Sequence, residues 1–364
     1  MCPEFLIDCT RIHRYVGFQP PVPMSDRPDA LRERLAAAPL GFGGAPLGNL
    51  FRVVADDVAV ALVRHAYASG VGYFDTAPHY GHGRSERRIG DALRPLPRDN
   101  YLLSTKVGRR LEPSANAPRD QHGYVDTLPF TQRYDYTADG VRRSLDDSLQ
   151  RLGLARVDIV YVHDIDRATH GEAHSRRLAD ALDGGLPALA ELRASGAIGG
   201  YGLGVNDVTI CLDVLRYADM DMILLAGRYT LLDQSALVEL LPECLRRGVA
   251  IVLGGPFNSG ILATGARPAD GSAPYFNYAP APPAIIDRVT AIERVCAQFS
   301  VPLKAAALQF PRAHPAIVSV IPGARSFAEF DDNLRLASWS IPAAFWQALR
   351  DLELIAPDAP VPMS

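Results

Sequence analysis

The stretch Gly72–Gly81, GYFDTAPHYG, decides the fold. A short apolar run ends on the ionisable Asp75, breaks at Pro78 and presents Tyr80 on a glycine-bounded loop. A strand that merely filled a core would not end in this way. A strand whose carboxyl end opens into a working loop would.

Working outward, seven more short β-branched or apolar runs follow the same plan: Leu40–Gly44, Tyr101–Val107, Val157–His163, Gly199–Val205, Met222–Gly227, Ala250–Gly254 and Ile317–Ile321. Helical patterns separate them. In TADGVRRSLDDSLQRLGL, Val141, Leu145, Leu149 and Leu152 recur at four, four and three residues and form one apolar stripe. Asp56–Ala68, Pro187–Ser195, Ser235–Arg247, Ala284–Phe299 and Leu303–Arg312 read likewise. Eight strand–helix units predict a closed α/β (β/α)8 TIM barrel. A doubly wound sheet is the alternative, but no GxGxxG opens a helix after an early strand. Long loops are expected after strands 3 and 4. Arg109–Tyr136, with Pro113, Pro118, Gly123 and Pro129, reads as a substrate cover. Ile165–Gly185 reads as a second insertion.

The chain has 364 residues, 48% hydrophobic and 21% charged, the balance of a soluble protein with a large core. A net charge of −4 gives no electrostatic case for nucleic acid or an anionic membrane. No apolar run reaches the roughly 20 residues of a membrane helix. Five scattered cysteines without CxxC spacing point to a reducing, cytoplasmic setting. Residues 1–23 lack a signal-like apolar core and read as a disordered extension, or as an over-called start with Met24 the true beginning. A short arm docking on a neighbouring subunit is the other reading. Residues 24–364 are then one barrel domain.

Four polar residues occupy corresponding places. Asp75 ends the second strand, Tyr80 lies on the loop after it, Lys106 is near the end of the third strand and His163 ends the fourth. In a barrel all four meet at the carboxyl rim, where active sites are built. A phenol with a pKa near 10 moves protons poorly at neutral pH unless something favours its phenolate. An adjacent ammonium does that, a carboxylate orients the ammonium, and a histidine donates to the substrate oxygen. Each also has an ordinary reading: Asp75 as a turn cap, Tyr80 as a packed ring, Lys106 as a solvated strand end and His163 as a core histidine.

FDTAPHYGHGRSE, STKVG and VDIVYVHD resemble the signature stretches of the aldo-keto reductases, which are (β/α)8 barrels. The resemblance runs from about Leu40 to about Leu336, and the family's Asp, Tyr, Lys and His map onto Asp75, Tyr80, Lys106 and His163. LGFGGAPLGNLF, AGRYTLLDQ and GGPFNSGIL resemble the L-fucose dehydrogenase (D-threo-aldose 1-dehydrogenase) branch. Pyridoxal 4-dehydrogenase and plant L-galactose dehydrogenase share much of that pattern. The resemblance implies an NAD(P)-dependent oxidation of a sugar's anomeric hydroxyl to a lactone, with Tyr80 taking the proton. Pyridoxal, also a cyclic hemiacetal, is the alternative substrate. A cofactor-binding regulatory subunit, like the potassium-channel β subunits, is the alternative of another class. Ser85 and Glu86 are expected to start the next helix, the acid suiting its N-terminal dipole.

For the cofactor, NAD or NADP, the resemblance assigns Asn206 to the nicotinamide amide, though Val205 replaces the usual serine before it. Ala226 and Gly254 stand where the family often carries an amide and an aromatic ring. Gly255, Pro256, Phe257, Asn258 and Ser259 are expected around the pyrophosphate, with Gly44 and Gly323 also in contact. Arg325 and Asn333 are assigned to the adenosine end. Glu329 falls where many NADP-preferring members have arginine, which favours NAD.

The run HDIDRATHGEAH gathers His163, Asp164, Asp166, His170, Glu172 and His174, with His170 and His174 at i, i+4. HxxxH without the glutamate of HExxH, interrupted by Gly171, is read as a polar loop rather than a metal site.

Overall fold

The computed structural model describes residues 28–363; the expected extension, residues 1–23, lies outside them. All eight expected strands form, six of them trimmed at their ends and the last two with their expected limits. They are β1 Phe42–Gly43, β2 Tyr73–Asp75, β3 Leu102–Val107, β4 Ile159–His163, β5 Gly200–Val205, β6 Met222–Ala226, β7 Ala250–Gly254 and β8 Ile317–Ile321. They pair in chain order and in parallel, in one eight-stranded sheet. The ends meet through two parallel bridges, Leu40 with Val320 and Gly43 with Gly323. The architecture is the (β/α)8 barrel.

Side chains inside the barrel form one cluster, including Tyr73, Leu102, Ile159, Tyr161, Met222 and Val252. Helix α1 (Pro28–Ala36) joins it with Leu31 and Leu35, so a helix the sequence reading did not place packs against the barrel interior. The second, larger cluster lies between the strands and the outer helices. There α2 (Asp56–Ala68) has its expected limits, and Val141, Leu145 and Leu152 of α3 (Ala138–Leu152) are buried. Thr137 caps α3 by accepting from the Gly140 amide, and Gly153, left-handed, ends it.

Several expectations need correction. The helix expected from Ser235 begins at Leu240, and the one expected to reach Arg312 is α-helical only to Gln309, finishing in a 3₁₀ turn. The cover Arg109–Tyr136 contains an antiparallel hairpin, Arg109–Pro113 against Phe130–Tyr134. Ile165–Gly185 is no loop. It holds helical turns at Arg167–His170 and His174–Asp180 and a π turn, Ala181–Gly185, that runs into helix Leu186–Ala194. Asp166 caps the first of these turns by accepting from the Thr169 amide. No helix among the described residues is long and apolar enough to cross a membrane.

Candidate active site

The parallel register places the four expected residues together. Asp75 lies opposite Gly43 and Ser104, Lys106 opposite Tyr161 and His163 opposite Gly204, so all face the carboxyl ends of the strands. Gly44 closes this end. A Cβ there would meet the Asp75 carbonyl at 2.5 Å, and the Gly44 amide donates to that carbonyl. Ser85 does not cap its helix. Its hydroxyl donates to the Gly44 carbonyl and accepts from Thr76, tying β1 to the Tyr80 turn. Glu86 sits in the first turn of Arg84–Leu93, but its carboxylate is buried and accepts from Thr105 and Arg151. Packing, rather than the exposed dipole, explains it.

The Lys106 ammonium donates to Asp75 Oδ1 at 2.9 Å, to Oδ2 at 2.7 Å and to the Thr76 carbonyl at 2.9 Å. Its three donors are thereby used. Tyr80 is reached through its ring, with Nζ 4.6 Å from the centroid. Burial, followed by the Asp75 charge, holds the Tyr80 phenol well above its ordinary pKa. The expectation that the ammonium would directly favour the phenolate is therefore corrected. Its charge is matched by Asp75, and desolvation dominates. Burial likewise moves Asp75 up and Lys106 down. His163 meets Tyr80 edge-on at 6.0 Å between centroids. Burial, then Arg109, Lys106 and His79, keep its imidazole neutral to well below the usual pH.

A cleft of about 910 Å³ opens above this group, in the range of small-molecule sites. Asp75 and Tyr80 line it, with Tyr124, His122 and Gln121 from the insertion after β3 and Tyr275 and Tyr278 from the segment after β7. Tyr124 stacks on Tyr80 at 6.1 Å. The cover was legible as a loop, but its rings were not singled out.

Of the expected cofactor residues, Gly255, Pro256, Phe257, Ser259, Gly323, Arg325 and Asn333 line the cleft, as do Ala226 and Gly254. Gly44, Asn206 and Asn258 do not. Asn258 turns inward, accepting from Thr230 at 2.6 Å and donating to the Gly227 carbonyl at 3.2 Å. The Asn206 carbonyl accepts from Arg228 at 2.6 Å. At the far end, Arg325 Nε and Asn333 Oδ1 are buried without a partner among the described residues. Buried polar atoms are normally satisfied, so these two fit a polar ligand such as an adenosine. His170 and His174 of the histidine run are directed elsewhere, towards the Tyr136 hydroxyl and the Ile165 carbonyl.

Sequence reasoning missed Arg88, which is 4% exposed. It donates to the Leu47 and Val54 carbonyls, both at 2.5 Å, to Asn49 at 2.8 Å and to Asp56. It thereby pins the loop between β1 and α2, which carries Leu50, Phe51 and Arg52 into the cleft wall. Its only sequence signal was an arginine on the polar face of a charged helix.

The sequence profile of the aldo/keto reductase family matches residues 39–353. The chain belongs to that family. This aldo/keto reductase is 44% identical to pyridoxal 4-dehydrogenase of Microbacterium luteolum over 89% of this chain and 96% of the relative. It is 39% identical to D-threo-aldose 1-dehydrogenase of a Pseudomonas species over 91% and 98%. L-galactose dehydrogenase of Arabidopsis thaliana matches at 32% over 82% and 84%. Among solved structures, a glycerol dehydrogenase from Gluconobacter oxydans superposes with a TM-score of 0.67 at 21% identity, covering 89% and 93%. That likeness supports the fold alone.

Proposed function

We propose that this aldo/keto reductase oxidises a cyclic hemiacetal to its lactone, the anomeric hydroxyl of an aldopyranose such as L-fucose being the first candidate. The observation that carries the reading is the buried Asp75–Lys106 pair beneath the Tyr80 ring at the cleft floor. Similarity to D-threo-aldose 1-dehydrogenase over nearly its whole length supports the substrate class. Tyr80 takes the hydroxyl proton, Lys106 and Asp75 set the field beneath it, and His163 orients the substrate oxygen. When bound, a nicotinamide supplies the acceptor for hydride from the same carbon. Because Tyr80 rests as a neutral phenol, oxidation is expected to accelerate as pH rises.

Pyridoxal is the second reading, favoured by the 44% relative. Its ring hemiacetal presents the same carbon–hydroxyl geometry. For the nucleotide, Glu329 lines the cleft and accepts from the Arg325 amide at 2.8 Å, fixing a carboxylate at the proposed adenosine end. That charge would repel a 2′-phosphate and favours NAD. The test is nicotinamide absorbance with L-fucose and pyridoxal, each with NAD and with NADP. Reduction with L-fucose supports the sugar reading, and reduction with pyridoxal alone transfers it to the vitamin. Nucleotide binding without turnover of either, unchanged by Tyr80→Phe, would make the protein a cofactor-binding regulatory subunit.

A further inference from the structure

The insertion hairpin touches the tetrad through a polar cluster that the proposed reaction does not use. Arg109, its first residue, is 7% exposed. Arg109 Nη2 donates to Asp164 Oδ2 at 2.6 Å, Nη1 donates to Gln132 Oε1 at 3.2 Å, and the guanidinium lies 5.3 Å from the Tyr134 ring centroid. Asp164 follows His163 with φ of +45°, a left-handed conformation costly for a non-glycine residue. Its amide donates to the Gly204 carbonyl. The Tyr136 hydroxyl, two residues beyond the hairpin, donates to the His163 carbonyl at 2.7 Å. The chain is thus bent sharply, and the bend brings Asp164 Oδ2 to 3.3 Å from His163 Nε2.

The approach is close without being a formed hydrogen bond; because a carboxylate only accepts, a neutral imidazole facing it favours its proton on Nε2. Nδ1 is then bare, and it has no partner among the described residues. At 3.3 Å the contact lies beyond the usual N–H···O range, which leaves the Nε2 proton free for a substrate oxygen. We propose that Asp164, clamped by Arg109, is a positioning residue that fixes the tautomer and ring orientation of His163, so that the hairpin completes the proton-transfer centre as well as covering it.

The idea rests on the proposed role of His163 at the reacting carbon. Groups facing the His163–Asp164 unit come from every neighbouring element: Asp75, His79 and Tyr80 from β2 and its loop, Lys106 from β3, Arg109, Tyr124, Tyr134 and Tyr136 from the insertion, Asp166 and His170 beyond β4, and Tyr278 from the segment after β7. Arg109 and Lys106 oppose a positive imidazole, whereas Asp164 favours one.

The signs differ between variants. Arg109→Met removes a repelling cation and frees the Asp164 charge, so the His163 titration moves to higher pH. Asp164→Asn leaves Arg109 uncompensated, so the titration moves lower or out of range. Arg109→Lys keeps the charge and restores a titration near that of the unaltered chain. The measurement is ¹⁵N-histidine NMR of the full chain against pH, with His163 assigned by the signal lost in His163→Asn. It needs neither substrate nor nucleotide, so it judges the idea even if no hemiacetal turns over. The unaltered chain is expected to show the Nε2–H tautomer, and Asp164→Asn a mixture. In turnover, Asp164→Asn is expected to lower kcat about 10-fold or more with nucleotide KM unchanged. Should Arg109→Met not fold, Asp164→Asn and Arg109→Lys carry the test. An unchanged tautomer and titration in Asp164→Asn, or shifts of the same sign in Arg109→Met and Asp164→Asn, would overturn the proposal.

Discussion

Replacing Lys106 with Met tests the centre of the site through stability rather than rate. Lys106 is 1% exposed and Asp75 2%. The substitution keeps most of the stem's volume but leaves the Asp75 carboxylate with the Ser104 hydroxyl as its remaining side-chain donor. Breaking a buried pair in this way costs about 3–5 kcal/mol. The carboxylate can escape by taking a proton, and burial already pushes it in that direction. Each pH unit between its unfolded and folded pKa is worth about 1.4 kcal/mol, so the cost appears as a further rise of the folded-state pKa. The sign follows. Below the ordinary carboxylate range, near pH ~4, folded and unfolded chains both hold the proton and the deficit vanishes. As pH rises the deficit grows, and it levels off above the raised folded pKa. Urea unfolding of both chains from acid to neutral pH measures it, provided the midpoints are compared at equal slope. The double variant Asp75→Asn with Lys106→Met, which leaves no charge behind, is expected to recover much of the loss. A Lys106→Met chain within about 1 kcal/mol of the original at neutral pH, with a deficit flat in pH, would refute the reasoning.

Tyr80→Phe is expected to lower kcat by about 10²- to 10⁴-fold while nucleotide binding, followed by fluorescence titration, stays unchanged. Glu329→Gln should improve kcat/KM with NADP relative to NAD, and an unchanged ratio removes this residue from nucleotide choice. Oxidation in the unaltered enzyme should rise with pH on a limb absent from Tyr80→Phe, because the phenol's pKa lies above the ordinary value. Arg88→Lys should destabilise the chain by about 1.5–3 kcal/mol and weaken nucleotide binding, since an ammonium cannot reproduce the forked contacts to Leu47, Asn49, Val54 and Asp56. Calorimetry of folding and binding reads both.

The barrel was legible because its strands are nearly continuous apolar runs buried on both faces, and Gly, Pro and charge punctuate their ends. The tetrad was legible for a related reason. Asp75, Lys106 and His163 interrupt apolar strands at the same end, an expensive placement that packing alone does not explain. What escaped was information held in tertiary contact. Arg88 and Glu86 belong to a strongly charged helix, yet Arg88 is buried against Leu47, Asn49, Val54 and Asp56, and Glu86 against Thr105 and Arg151. The hairpin escaped because RRLEP shows little apolar alternation although Arg109 and Leu111 are buried, and its partner strand Phe130–Tyr134 is part-exposed along its length. Gly171 argued against a regular helix, and the chain does break there. It resumes at once, so the helical turns around it were missed.

The closure of the barrel has a dynamic consequence. Where other neighbouring strands share ladders, β1 and β8 meet through two isolated bridges, Leu40 with Val320 and Gly43 with Gly323. Three backbone hydrogen bonds cross this seam, from Gly41 to Val320, Gly43 to Pro322 and Val320 to Pro39, and local opening concentrates where backbone pairing is sparse. The seam also lies beneath Gly43, Gly323 and Arg325 at the proposed adenosine end of the cleft. A nucleotide held there would act as a staple across the join. By mass action it would add about 2.7 kcal/mol of apparent stability at a hundredfold excess over Kd. Amide exchange along Phe42–Gly44 and Val320–Gly323 should slow most on loading, so that breathing at the seam reports nucleotide occupancy.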